Sequence, residues 1–326
     1  MSALVDTFGV LGSCMGCMVA VEGIAKEEPS AMNLMTFANF FFISLVGLVT
    51  TKKFFTVRNQ IPLSGYFWVV ATFFVVNVVN NQALNYHVPV PLHIIFRSGS
   101  LLASLLLEVV WRKKRYATRK YLSVFAITIG IIVCTLATSS KGSEGLSSEQ
   151  IAKHYVEWSI GIGMLVFALF ASAFLAIKQQ QMYGIYGKHV DEAMFVTHFY
   201  SLPFFAFMWS DILKAVDIFN GSAPFSAAGI QLPFPKLWVM LAITCLLQYL
   251  CIRYVYKLNA SVEALTVTLV VTLRKFLSLI VSIIVYQNPF TTMHWVGTAL
   301  VFGGTMFFDD AIFKKSADEG QKKKKQ

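Results

Sequence analysis

Long runs without a charged residue recur along the chain: Pro29 to Thr51, Asn59 to Phe96, Tyr121 to Ser140, Trp158 to Ile177, Ala193 to Ser210 and Phe276 to Phe308. A helix needs about 20 apolar residues to cross a hydrocarbon core of about 30 Å. Two runs exceed that and must turn inside, near Tyr86 to Pro91 and at Gln287 to Thr292, where polar residues and proline interrupt them. The pattern predicts ten spanning helices, roughly 3–21, 31–50, 64–85, 91–110, 120–138, 157–177, 193–212, 237–256, 262–286 and 293–312. The fold class is an all-α polytopic membrane protein, with one transmembrane domain over 1–313 and a basic tail over 314–326. Ala3 to Val21 has no basic flank or small-residue cleavage site, so it reads as the first span and not as a removed signal.

Composition agrees with this reading. Of 326 residues, 56% are hydrophobic and 13% charged, about half the charged share of an ordinary soluble domain. The net charge of +10 could suggest nucleic acid or anionic lipid, but its distribution reports topology instead. Of 27 Lys and Arg residues, 19 fall in the loops after even-numbered spans or in the tail. The positive-inside rule then puts both termini in the cytosol. The opposite loops are short and polar. The longest, Leu213 to Pro235, carries Asn220-Gly221-Ser222, a glycosylation sequence if that loop is lumenal. Asn259-Ala260-Ser261 has the same form on the cytosolic side and is expected to stay unmodified.

An offset of 174 residues aligns Asn85 to Gly130 with Asn259 to Gly304 without a gap, matching Asn85 to Asn259, Thr118 to Thr292 and Gly130 to Gly304. Such an offset equals five spans. An odd number reverses orientation, so the halves (about 1–140 and 155–313) would be inverted repeats, with a binding site near the midplane between them.

The ninth span holds the most informative chemistry. Thr266 to Val285 contains no charge except Arg274 and Lys275 at its middle. A cation at that depth is costly and by default faces a water-filled cavity or polar ligand. At about 100° per residue, Ser261, Thr268, Thr272, Lys275 and Ser282 form one narrow stripe, and Arg274 shares its edge with Ser278. A hydroxyl-rich cationic face suits a phosphate-bearing anion: Lys offers a point charge, Arg a two-pronged fork. The competing reading is an internal pair with Glu263. Arg97, in Phe96-Arg97-Ser98-Gly99-Ser100, is a third cation, which the offset places one turn before Arg274; alternatively it reaches the lumenal boundary. Asn77, Asn80 and Asn81 share one face of span three and could bond a base or sugar, or tie helices together.

Other features carry less. Cys14, Cys17, Cys134, Cys245 and Cys251 all lie in predicted spans and read as inert buried thiols, despite the Cys14-Met-Gly-Cys17 spacing. His93 and His198 read as polar packing residues. No catalytic constellation, metal set or cofactor motif emerges, so the chain is not read as an enzyme. Lys323 and Lys324 stand fourth and third from the end, as in the dilysine retrieval signal of early secretory membranes, read by coat proteins; contact with anionic lipid is the alternative.

Several stretches together resemble nucleotide-sugar transporters of the solute carrier 35 family, B subgroup. They are Val79-Asn80-Asn81, Pro91 to Leu101 (PLHIIFRSGSL), Lys113 to Tyr116, Tyr186 to His189, and Leu269 to Phe276 (LVVTLRKF). The resemblance runs in order over essentially the whole chain. It implies the drug/metabolite transporter fold: ten helices in two inverted five-helix repeats. It also implies antiport of UDP-N-acetylglucosamine and/or UDP-xylose from cytosol into the ER or Golgi lumen, against UMP. It places Lys275 at the phosphates with Arg274 beside it. The chain departs from the family pattern at Gln179-Gln180-Gln181, where relatives often carry Gln-Glu. Remaining alternatives are an exchanger of another anion (another nucleotide sugar, a sugar phosphate, adenylyl sulfate) and a membrane-embedded transferase. Expected partners are UDP-sugar, UMP and membrane lipid, with coat proteins and a second copy of the chain as further candidates, and no nucleic acid.

Overall fold

The computed structural model describes residues 2–113, 115–142, 148–227, 230–261 and 264–308. It is mainly helical, and among the described residues seven helical segments are long and apolar enough to cross a membrane. The chain is a polytopic helical membrane protein. Its contacts divide it into two compact units. One contains 1–15, 89–155 and 251–326; the other contains 16–88 and 156–250.

In the first unit, α4 (Val90–Ser98) and α5 (Ser100–Arg112) occupy the predicted fourth span, α6 (Thr118–Gly142) the fifth, α11 (Ala264–Tyr286) the ninth and α12 (Thr292–Phe308) the tenth. The turns fall where proline and polar residues foretold them. Proline at 89 and 91 starts α4, and α11 stops before Gln287, whose φ of 49° reverses the backbone ahead of Pro289. Lys113 ends α5 in the same left-handed way.

The 174-residue spacing recurs in these elements. Thr118 begins a helical segment, and so does Thr292, 174 positions later. The α6–α12 seam is reciprocal. A Cβ on Gly130 would lie 2.6 Å from the Gly297 carbonyl oxygen, with Val301 beside it. A Cβ on Gly304 would lie 3.0 Å from the Ser123 carbonyl, with Ile127 beside it. Shifting either set of partners by 174 gives the other. As Gly130 meets Gly297 and Ser123 meets Gly304, the helices run antiparallel. Small residues permit this backbone approach, the means by which membrane helices pack tightly.

The second unit contains α2 (Met32–Thr50), entered through a 3-10 turn at Pro29–Ala31, α3 (Leu63–Gln82), most of α7 (Ser148–Tyr186) and α8 (Val190–Phe199). Its core is aromatic. Phe40 stacks on Phe73 with ring centroids 5.2 Å apart, and both rings meet His198 edge-on at 5.0 and 4.9 Å. His198 Nδ1 donates to the Met194 carbonyl at 2.7 Å, which fits its expected packing role. Gly47 lets α2 close on Phe195 of α8, since a Cβ there would sit 2.9 Å from that ring.

Two expectations need correction. The seventh span is not one helix: α8 stops at Phe199, a 3-10 segment runs over Leu202–Met208 with Pro203 at its start, and α9 covers Trp209–Asn220. Pro203 supplies no amide hydrogen to the helical ladder, and that breaks it. The long polar loop is also structured. After α9, β1 (Pro224–Ala227) pairs antiparallel with β2 (Ile230–Pro235), leading into α10 (Lys236–Ser261).

Candidate functional site

Two of the three intramembrane cations meet in the first unit, with the third adjacent in sequence. The break between α4 and α5 sets their geometry. At Gly99 the backbone turns to φ −78° and ψ 7°, and its N–H bonds Phe96 O. The missing side chain lets Ile131 pack against the break, since a Cβ there would lie 2.5 Å from Ile131 Cδ1. Two residues before the break, the Arg97 carbonyl accepts a hydrogen bond from Lys275 Nζ at 3.2 Å. The α11 ammonium therefore sits on the α4 residue that carries the Arg97 guanidinium. A broken helix presenting carbonyls and cations at membrane depth is a recurrent way to build a transport site.

Arg274 lies about 100° round α11 from Lys275. Its Nη1 donates to Cys251 Sγ at 3.4 Å. Cys251 is joined to Cys14 of α1 (Ser2–Glu27) by a disulfide. The cysteines thus correct the expectation of five inert thiols, and the Cys14-to-Cys17 spacing is not the relevant pair. A sequence separation of 237 leaves no local signal of such a bond. Cys17 contacts Gln248 Oε1 at 3.2 Å instead.

The wheel-derived stripe is only partly realised. Thr272 and Lys275 are half-buried on α11, Ser278 is buried, and Arg97 is exposed. Ser282 is committed elsewhere, since its hydroxyl and carbonyl both accept from Asn288 Nδ2, at 3.1 and 3.2 Å. The side chains of Thr268 and Ser261, and all of Glu263, lie outside the described residues, as do Lys323 and Lys324 in the tail.

In the second unit the carboxamides of α3 serve α2. Asn81 Nδ2 donates to Thr36 Oγ1, and Gln82 Nε2 to Asn33 Oδ1 at 2.9 Å. Asn77 Nδ2 bonds back to Phe73 O one turn earlier in its own helix, 2.8 Å away. Asn80 is half-buried on the same helix. Of the two readings of this cluster, helix tying accounts for Asn81 directly. Asn33 and Thr36, one turn apart on α2, were the partners to look for.

A buried ion pair escaped sequence reasoning. Lys52, counted there as a loop cation, is only 2% exposed, and its Nζ meets Glu192 Oε2 at 2.8 Å. The same carboxylate accepts from the backbone N–H of Gln60 at 2.9 Å and of Ile61 at 3.0 Å, and from Tyr66 OH at 3.1 Å. Glu192 lies just ahead of the predicted seventh span. Burial pushes its carboxyl up, but the hydrogen bonds from Lys52, Ile61 and Gln60 outweigh that and hold it below the ordinary value. Beside it, Lys53, Phe54 and Phe55 have φ of 43°, 55° and 66°, three consecutive non-glycine residues in the left-handed region, where strain is expected. Phe55 rests on the Phe195 and Phe199 rings. The signal was faint: Glu192 is one of only 17 acids in the chain, and it borders an apolar run.

Asn220 closes α9, exposed, with its Oδ1 accepting from Trp238 Nε1 at 2.9 Å. That leaves the amide nitrogen, the atom that carries glycans, outside this bond.

Known transporters resemble the chain over nearly its whole length. A fly (Drosophila melanogaster) endoplasmic reticulum GDP-fucose transporter is 45% identical over 96% of this chain and 91% of its own. A zebrafish (Danio rerio) UDP-xylose and UDP-N-acetylglucosamine transporter is 42% identical over 93% and 92%. The human nucleotide sugar transporter SLC35B4 is 41% identical over 92% of each. Residues 2–312 match the model of the UAA transporter family. With the match running from the first helix through the last, the chain belongs to the UAA transporter family.

Proposed function

We propose that this protein is a nucleotide-sugar antiporter, carrying UDP-N-acetylglucosamine and/or UDP-xylose from cytosol to the ER or Golgi lumen in exchange for UMP. The observation that carries the reading is the Lys275 contact to the Arg97 carbonyl at the α4–α5 break. It draws cations from two helices to one place in a family of transporters. Lys275 is assigned to the phosphates directly, with Arg97 and Arg274 completing the charge. Thr272 and Ser278 stand on the same helix, as does position 268, and Asn80 is assigned to the base or sugar, with the Asn81 amide nitrogen held by Thr36 and only its oxygen left to take part. A phosphate arriving at Lys275 replaces a neutral carbonyl with an anionic acceptor, which binds an ammonium more strongly. An empty site of like charges in a low-dielectric interior is costly to carry through the membrane. Return therefore requires an anion, and the nucleoside monophosphate supplies it.

The reading includes ten spanning helices in two inverted five-helix repeats and both termini in the cytosol. The support is the reciprocal antiparallel α6–α12 seam and the helix starts at Thr118 and Thr292, 174 residues apart. It further includes a glycan on Asn220, retrieval through Lys323 and Lys324, and assembly with a second copy of the chain.

A second reading keeps the mechanism and changes the nucleotide. The fly relative is named for GDP-fucose, so a guanine nucleotide sugar exchanging for GMP is the competing substrate. Proteoliposomes preloaded with UMP or with GMP, offered labelled UDP-N-acetylglucosamine, UDP-xylose and GDP-fucose, separate the two. UMP-dependent uptake of UDP-sugar, abolished in Lys275→Ala, is expected. Uptake from empty liposomes, or wild-type rates in Lys275→Ala, would sink the proposal.

A further inference from the structure

We propose that the Cys14–Cys251 disulfide is a positioning device for Arg274 and that it makes substrate affinity sensitive to thiol redox state. The inference rests on the phosphate reading of the α11 cations.

Three observations meet at one sulfur. Cys251 is the α10 residue whose Sγ receives Arg274 Nη1 at 3.4 Å. The same Sγ is bonded to Cys14 of α1. Both cysteines are buried, at 3% and 5% exposure, in an apolar cluster with Val10, Leu258 and Val270. Val270 stands one turn before Arg274 on α11. The cross-link thus fixes the sulfur from two helices, and the packing fixes α11 against it.

An arginine side chain is rich in rotamers, and ordering it costs free energy on binding. A sulfur pinned by a covalent bond bears that cost in advance. Sulfur is a weak acceptor, and in a disulfide it carries no charge, so the contact orients the guanidinium without adding a negative charge to an anion site. A carboxylate in the same place would have competed with phosphate.

The chemistry of release is thiol–disulfide exchange. A dithiol attacks one sulfur, the Cys14–Cys251 bond breaks, and the dithiol is oxidised to its cyclic disulfide. Its two electrons and two protons end on Cys14 and Cys251 as thiols. Arg274 then faces a thiol no longer anchored to α1. Membranes of the secretory pathway border an oxidising lumen, where the bonded form persists.

The first measurement counts thiols. Purified protein denatured in detergent with a maleimide mass tag should take three tags, at Cys17, Cys134 and Cys245, and two more after dithiothreitol. Five tags before reduction would overturn the inference. The second reads transport in proteoliposomes. Reduction of the wild type should raise the KM for its nucleotide sugar about five- to tenfold, as for loss of one oriented charged contact. The maximal rate should change less. Cys14→Ser, which keeps the Cys251 sulfur but removes the cross-link, should show the raised KM with or without reductant. Should Cys14→Ser fold poorly, the reduced wild type, checked by gel filtration, carries the same test. An unchanged KM in both overturns the positioning role. If Lys275→Ala nevertheless abolishes transport, only this inference fails; if Lys275→Ala is fully active, the phosphate reading beneath it has failed.

Discussion

Replacing Glu192 with Gln should destabilise the second unit by about 3 kcal/mol. The carboxylate receives four donors, from Lys52, Gln60, Ile61 and Tyr66. Gln keeps one acceptor oxygen and turns the other position into a donor that faces donors. It also leaves the Lys52 ammonium, 2% exposed, without its counter-charge. Removing one partner of a buried pair typically costs about 3–5 kcal/mol, and the retained oxygen argues for the lower end. For a chain of this length that corresponds to a melting shift of roughly 5 °C, by the per-residue unfolding entropy of globular proteins. The assay is loss of the monodisperse gel-filtration peak after heating detergent-solubilised protein. Lys52→Met combined with Glu192→Gln should recover part of the loss, because the uncompensated ammonium is gone while the two backbone N–H groups still compete for one oxygen. A Glu192→Gln protein that melts within about 1 °C of wild type would refute the reasoning, as would a double variant less stable than the single one.

The same carboxylate gives a pH signature. Its folded-state value is depressed, so its stabilisation is complete above the unfolded carboxylate value of about 4.3 and is lost as pH falls through the lower folded value. Melting temperature should therefore hold from neutral pH down to that region and fall below it, with the acid limb flattened in Glu192→Gln. Gly297→Val should disrupt the α6–α12 seam, where a Cβ would lie 2.4 Å from Cys134 Sγ and 2.7 Å from the Gly130 carbonyl. Overpacking of this kind costs about 1–3 kcal/mol, visible in the same thermal assay; Gly303→Ala, with open space around it, is the neutral control. Thr36→Val removes the acceptor of Asn81 and should cost about 1 kcal/mol. Asn220→Gln should abolish a glycosidase-sensitive gel shift in protein from secretory membranes, whereas Asn259→Gln should not change mobility.

Charge-poor runs and prolines foretold where helices lie, because burial in hydrocarbon demands apolar length and continuous backbone bonding whatever the neighbours. That logic located the turns at 86–91 and 287–292, and it singled out Arg97, Arg274 and Lys275, since a cation in a span is costly wherever the span packs. Helical geometry on one element could separate Arg274 from Lys275 but not name what each touches. The Arg97 carbonyl and the Cys251 sulfur as partners depend on the relative placement of helices, which only packing decides, while the use of Ser282 by Asn288 depends on the turn taken at Gln287. The Lys52–Glu192 pair and the Cys14–Cys251 bond are tertiary in the same sense. Their partners lie 140 and 237 residues apart, with no period or spacing to link them. The chain's local chemistry set which groups must be satisfied in the membrane; the folded contacts alone chose the atoms that satisfy them.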